Sequence, residues 1–218
     1  MNLNGSAVDQ LRKLYISKKA EIIARLKEFK MLWEKGDNEE IFAELSFCIL
    51  TPQSRAKSCW QAIEALEEQD VLMKGSAVQI KKRLRCVRFY NKKAEYIVKA
   101  RKLFLSNGRV SIKPLLSGFA DVYECREWLV SDITGMGYKE ASHFLRNVGF
   151  GEKIAILDRH ILKNLNLLGV IQKIPESLSR AKYILIEKNM AEFAKISNIP
   201  LSHLDLLLWY KETGEIFK

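Results

Sequence analysis

Apolar residues recur at helical spacing along almost the whole of this chain, and that periodicity limits what it can fold into. Leu201, Leu204 and Leu208 fall on one face of a helix, as do Ala94, Ile97, Val98 and Leu105. Steps of three and four stack side chains on one side of a helix and scatter them across a strand. Eleven glycines and four prolines in 218 residues supply too few turns for a sandwich or barrel. The β-branched stretches VSI (110–112) and GVI (169–171) could pair but are too short to dominate. DNEE (37–40) and DVYE (121–124) read as capping boxes, an acidic cap with Glu three residues on. Gly149, after KEASHFLRNV, is placed to terminate a helix, and Pro200 precedes the last one, LSHLDLLLWYKE. The expectation is an all-α fold of about nine to eleven helices, without internal repeat.

The charge of +10 is concentrated. Between Gln79 and Lys102 stand ten Lys or Arg against one Glu, and the rest of the chain is close to neutral. Such a stretch points to a polyanion, nucleic acid before membrane, because no amphipathic anchor accompanies it. No apolar run approaches the length of a membrane span, and MNLNGSAVDQ lacks the layout of a signal peptide. A soluble cytoplasmic protein, associated with the nucleoid, is the reading. Cys48, Cys59, Cys86 and Cys125 form no CxxC, and His143, His160 and His203 stand near none of them in ligand spacing. Reduced, mostly buried thiols are expected, with no zinc and no iron–sulfur cluster.

The stretch with chemical content is DITGMGYKEA, residues 132–141. Two glycines between helices permit a tight turn whose amides, with the positive end of the second helix, form a phosphate site. Glycine turns also serve helix packing alone. Lys139 follows in the first turn of that second helix, where a cation is locally unfavourable. A free lysine, with a pKa of about 10.4, is almost wholly protonated at neutral pH and cannot attack. Partial burial and a positive helix end are the means of making one nucleophilic. Nineteen residues on, in AILDRHILKNL, Asp158 opens another helix as its N-cap. An N-cap carboxylate at the mouth of a cleft also faces whatever the cleft holds.

ITGMGYKEA and LDRHI resemble the helix–hairpin–helix and following aspartate segment of the endonuclease III superfamily of DNA base-excision glycosylases. ILTPQSRAKS (49–58) is similar to that family's LSAQT-type segment, and RFYNKKAEYI (88–97) to its YNxKA helix. The four segments occur in the family's order between about residues 38 and 165. Endonuclease III itself carries four C-terminal cysteines around an iron–sulfur cluster, which this chain lacks. The ending LLLWYKETGEIFK, with Trp209 nine residues before Lys218, resembles instead the second, smaller type of 8-oxoguanine DNA glycosylase/AP lyase.

The resemblance implies a two-part all-α fold with duplex DNA in the cleft between the parts. Residues 36–134 would form a central helical barrel. Residues 1–35 and 135–218 would form the second part, with the hairpin (about 133–139) at the junction. It implies Lys139 as nucleophile on C1′ of the damaged nucleotide and Asp158 as the carboxylate stabilising positive charge on the sugar. Gln53 would fill the gap left by the flipped base, and Gly135 and Gly137 would hold a backbone phosphate. Trp209 and Phe89 would stack on the base. A terminal carboxylate at Lys218 would accept the N7–H that 8-oxoguanine carries and guanine lacks. No cofactor is required, although hairpin carbonyls in this superfamily often bind a monovalent cation; a monomer is expected by analogy.

Other readings use part of the same pattern. An endonuclease III-like enzyme for oxidised pyrimidines would differ in lesion choice, and the tail argues against it. A non-catalytic hairpin module bound to DNA would keep the glycines and basic stretch without needing Lys139 and Asp158 together. A metal-dependent nuclease would want clustered carboxylates, which are absent from the sequence pattern.

Overall fold

Asn4 accepts a hydrogen bond from the amide of Ala7 and starts a 31-residue helix, α1 (Gly5–Lys35), in the structure, a computed structural model that describes residues 1–218. Gly36 ends it, and Asp37 with Glu40 forms the reciprocal capping box read from DNEE, opening α2 (Asn38–Leu50). Every residue of α2 from Ile41 to Leu50 is buried, the mark of a helix enclosed by others. Around it run α3 (Ala56–Glu67), α4 (Val71–Lys74), α5 (Ala77–Arg83) and α6 (Tyr90–Leu103). A short antiparallel pair follows, β1 (Leu105–Ser106) with β2 (Arg109–Val110). Leu105 therefore leaves the apolar face expected of it and is exposed in β1. The cause is Asn107–Gly108, both at positive φ, which folds the chain back as a tight hairpin.

Next come α7 (Lys113–Leu116), α8 (Val122–Asp132) and α9 (Tyr138–Asn147). Asp121 caps α8 as expected, but Glu124 reaches the amide of Ala120 rather than that of Asp121, so the DVYE box is displaced by one residue. Gly149, at φ +87, ends α9: its amide bonds Arg146 O and that of Phe150 bonds Leu145 O. A short 3-10 turn (Gly151–Lys153) leads to α10 (Arg159–Leu167), α11 (Arg180–Ser197) and α12 (Leu201–Thr213), the last starting at Pro200. Twelve α-helices result; two of them are single turns too short to show periodicity. No helix is long and apolar enough to cross a membrane.

The buried apolar side chains form two clusters. One runs from Ile41 to Ile154 and includes α2, α3, α6, α8 and α9. The other joins Val8–Phe29 of α1 to Ala155–Leu208. The apolar packing thus changes hands between Ile154 and Ala155, later than the 134/135 boundary read from the sequence, because Ala141, Phe144, Leu145 and Val148 of α9 pack on α2 and its neighbours. Buried ion pairs tie the two sides, Arg146 on α9 with Asp205 on α12 at 3.4 Å among them. Arg126 on α8 donates twice to Glu187 on α11, at 2.6 and 2.8 Å, and Glu187 also accepts from the amide of Ala155.

Candidate active site

The hairpin between α8 and α9 sits on α6. Gly135 has φ +90, and a Cβ there would lie 2.3 Å from the ring of Tyr96. The glycine is therefore demanded by backbone conformation and by Tyr96, not only by space for a phosphate. Gly137 is extended and caps α9, and Glu140 of the same turn accepts its N–H at 3.2 Å. That amide is accordingly engaged, whereas the amides of Tyr138 and Lys139 have no acceptor within the chain.

Lys139 stands one residue into α9 with a side chain about one quarter exposed. Its Nζ donates to Thr51 Oγ1 at 3.2 Å and lies 3.8 Å from Glu140 Oε1. Thr51 caps the C-terminus of α2 and donates its own hydroxyl hydrogen to Cys48 O, which leaves its lone pairs for the amine. Asp158 is the N-cap of α10 as expected, its Oδ1 accepting from His160 and Ile161 amides at 2.8 Å each. Oδ2 takes no hydrogen bond within the chain and is available to a ligand. The residues leading to Asp158 are held stiffly: Ala155 N–H by Glu187, Ala155 O and Leu157 N–H by Tyr183. Arg126 and Glu187 therefore brace both the helix feeding the hairpin and the stem of Asp158.

Gln53 lies exposed at φ +54 in the loop after α2, and Phe89 lies exposed at φ +58 at the start of α6. The amide of Arg88, next to Phe89, donates to Ser54 Oγ at 3.0 Å, so the two loops are joined. Lys93, counted in the basic stretch, is buried: its Nζ donates to Leu50 O and Pro52 O at 2.7 Å and to Ser54 Oγ at 3.1 Å. Burial lowers its pKa to about 8, and three oxygen acceptors favour the charged form below that. Arg101 is also buried, bonding Leu72 O and Gly75 O. The other eight cations of the stretch are exposed, which is where a polyanion would meet them.

Trp209 on α12 meets His160 of α10 edge to face at 5.3 Å, beside the Asp158 cap. The chain then folds back so that Phe217 packs on the α2 cluster and the Lys218 ammonium pairs with Glu44. Glu44 is almost wholly buried in α2 and also accepts from Asn147 Nδ2 at 2.9 Å. The ammonium lies 2.9 Å from the centre of the Trp60 ring, a cation–π contact. His143 on α9 lies between these features, with burial and the charges of Lys139 and Arg146 pushing its pKa well down. Both its ring nitrogens are buried, and the main chain of Lys218 comes within reach of the ring. Lys218 and Lys139 thus approach the same buried ring from different parts of the chain, while Phe89 and Gln53 stay on the exterior. Thr51, Lys93 and Glu44 were missed by sequence reasoning. Each left a signal without a role attached: Thr51 and Lys93 lie in ILTPQSRAKS and RFYNKKAEYI, and Glu44 is a carboxylate inside the apolar run IFAELSFCIL.

Cys48, Cys59 and Cys125 are buried and Cys86 exposed, all as free thiols, and no group of three or more His, Cys, Asp or Glu is arranged to hold a metal. A hollow of about 280 Å³ beside α1 is lined by Lys27, Lys30, Arg146 and His203 and contains none of the expected site residues.

A family model described as 8-oxoguanine DNA glycosylase, of helix–hairpin–helix type, matches residues 22–199. An 8-oxoguanine DNA glycosylase/AP lyase of Fusobacterium nucleatum is 49% identical over 210 residues, covering 96% of this chain and 97% of that one. The corresponding protein of Methanocaldococcus jannaschii is 40% identical over 212 residues, 97% of this chain and 99% of that one. Among solved structures, the 8-oxoguanine DNA glycosylase of Thermotoga maritima superposes with a TM-score of 0.86 at 35% identity, over 97% of this chain and 98% of that one. The M. jannaschii 8-oxoguanine glycosylase/lyase in complex with a 15mer DNA containing 8-oxoguanine superposes with a TM-score of 0.87 at 39% identity, over 97% and 99%.

Proposed function

This chain belongs to the helix–hairpin–helix 8-oxoguanine DNA glycosylase family, and on that premise we propose that Lys139 is its nucleophile and Asp158 the carboxylate that works with it. The protein is a DNA glycosylase with AP lyase activity that excises 8-oxoguanine from duplex DNA. A nucleotide cannot be attacked at C1′ inside the stack, so it is flipped out first. Gln53 fills the vacated space, and the exposed cations around Arg85 and Arg88 meet the phosphates. The free amides at the start of α9 hold the backbone next to the lesion.

The unprotonated amine of Lys139 attacks C1′ and the glycosidic bond breaks, its electron pair leaving with the base, which takes up a proton. Ring opening gives an imine between Nζ and C1′. The imine acidifies the C2′ proton; its removal expels the 3′ phosphate by β-elimination, and water later hydrolyses the imine to free the lysine. The Asp158 carboxylate stabilises the positive charge on the sugar as the base departs. Trp209 and Phe89 flank the base, and the main-chain carboxyl group of Lys218 accepts N7–H, a bond guanine cannot make. No cofactor enters this chemistry. The carbonyls of Gly135 and Met136, which take no hydrogen bond within the chain, suit a monovalent cation shared with the DNA phosphate. The working unit is taken as a monomer on duplex DNA.

The observation that carries the assignment is the Lys139 amine, one residue into the hairpin's second helix, partly buried and aimed by Thr51. Treatment with an 8-oxoguanine duplex and sodium borohydride should yield a covalent protein–DNA band, absent for Lys139→Gln. A band of equal strength in that variant removes Lys139 from the chemistry.

A further inference from the structure

Gln53 is not a glycine, yet it holds φ +54 in an exposed loop. A left-handed conformation at such a residue is unfavourable and persists only where its surroundings over-determine it. The surroundings here are the ammonium of a single residue 40 positions on. Lys93 Nζ bonds the carbonyl of Pro52, directly before Gln53, the carbonyl of Leu50, and the hydroxyl of Ser54, directly after Gln53. Ser54 in turn receives the amide of Arg88, and its own amide bonds Thr51 O to close the turn. All three donors of the ammonium are used, and each fixes the backbone on one side or the other of Gln53.

We propose that Lys93 is a positioning residue for base flipping: its buried ammonium locks the 50–54 loop in the conformation that presents Gln53 to the duplex. The inference rests on the wedge reading of Gln53. Burying an ammonium is costly unless it is fully bonded, and a loop needing only stability would be served by apolar packing. A charge clamped to carbonyls instead fixes direction. Lys93 in this reading does not meet the phosphates, although it belongs to the basic stretch.

Flipping is measured without chemistry, in full-length protein carrying Lys139→Gln, by the fluorescence of 2-aminopurine placed beside 8-oxoguanine in a duplex. Lys93→Met keeps the stem and loses the ammonium; Ser54→Ala removes one of its three partners and gives a milder second variant. Circular dichroism and duplex affinity establish that each variant is folded. Lys93→Met is expected to lower the flipping equilibrium about tenfold or more, since misplacement by about 1 Å at a functional site costs up to about a hundredfold. Ser54→Ala should do the same to a smaller degree. Combined with Gln53→Ala, Lys93→Met should add little, because both changes remove the same function. Losses that multiply in the double variant, or unchanged flipping in folded Lys93→Met, overturn the role of Lys93 while leaving the wedge intact. Unchanged flipping in Gln53→Ala alone overturns the wedge reading itself.

Discussion

Nζ of Lys139 donates to Oγ1 of Thr51 at 3.2 Å, joining the hairpin helix to the end of α2 across 88 positions of sequence. Because the Thr51 hydroxyl hydrogen is committed to Cys48 O, the oxygen can serve the amine only as an acceptor. In the proposed mechanism it directs the amine without donating a proton to the lone pair that attacks. Thr51→Val, of the same shape, removes that direction. Single-turnover excision of 8-oxoguanine should fall about tenfold, equivalent to about 1.4 kcal/mol of barrier, with duplex affinity retained. An unaltered rate would make the contact incidental.

Asp158 caps α10 through Oδ1, and the proposed mechanism calls in addition on its negative charge. Asn is as good a cap as Asp, so Asp158→Asn separates the two duties. Thermal melting should stay close to that of the parent while excision and abasic-site cleavage drop by a hundredfold or more, about 2.7 kcal/mol. Asp158→Ala should in addition lose about 1 kcal/mol of stability. Matching activity in the Asn variant would reduce Asp158 to a cap.

Arg126 and Glu187 are both buried and doubly hydrogen-bonded. Replacing Glu187 by Gln leaves a buried guanidinium without its counter-charge, at a cost of about 3 to 5 kcal/mol. Urea unfolding should show this as a lower midpoint. The paired change Arg126→Met with Glu187→Leu should recover most of the loss, since a well-packed apolar pair often equals a buried ion pair. If Glu187→Gln melts like the parent, the pair does not brace the site.

If the main-chain carboxyl of Lys218 reads N7–H, residues added after it move the acceptor away. Two glycines appended to Lys218 should reduce the ratio of 8-oxoguanine excision to abasic-site cleavage by at least about tenfold, because a missing hydrogen bond leaves buried polar groups unpaired. An unchanged ratio places the discrimination elsewhere in the pocket.

Duplex affinity should fall steeply with salt, each phosphate contact contributing about 0.9 to the slope of log K against log salt. Arg85, Arg88 and Lys92 are exposed members of the basic stretch. Changing Arg85 and Arg88 to Gln should flatten the slope by up to about 2. A slope identical to the parent's would move the phosphate track off this stretch.

Local physics made much of this protein legible in its sequence. Apolar spacing placed the helices, Asp37, Asp121 and Asp158 marked three starts, and Gly149 marked a stop, because capping and periodicity act within one or two turns. The roles proposed for Lys139 and Asp158 came from the family resemblance of their segments, while local physics gave only that each stands at a helix start. What the tertiary structure alone decided are relations across long separations. Lys93 sits inside, clamping a loop, rather than on the basic surface; Gly135 is required by the ring of Tyr96; Glu44 captures Lys218 over Trp60. Charge composition cannot tell a solvated lysine from one whose three protons are spent on two carbonyls and a hydroxyl. That distinction depends on which oxygens the fold leaves without partners, and it exists only once distant segments have packed.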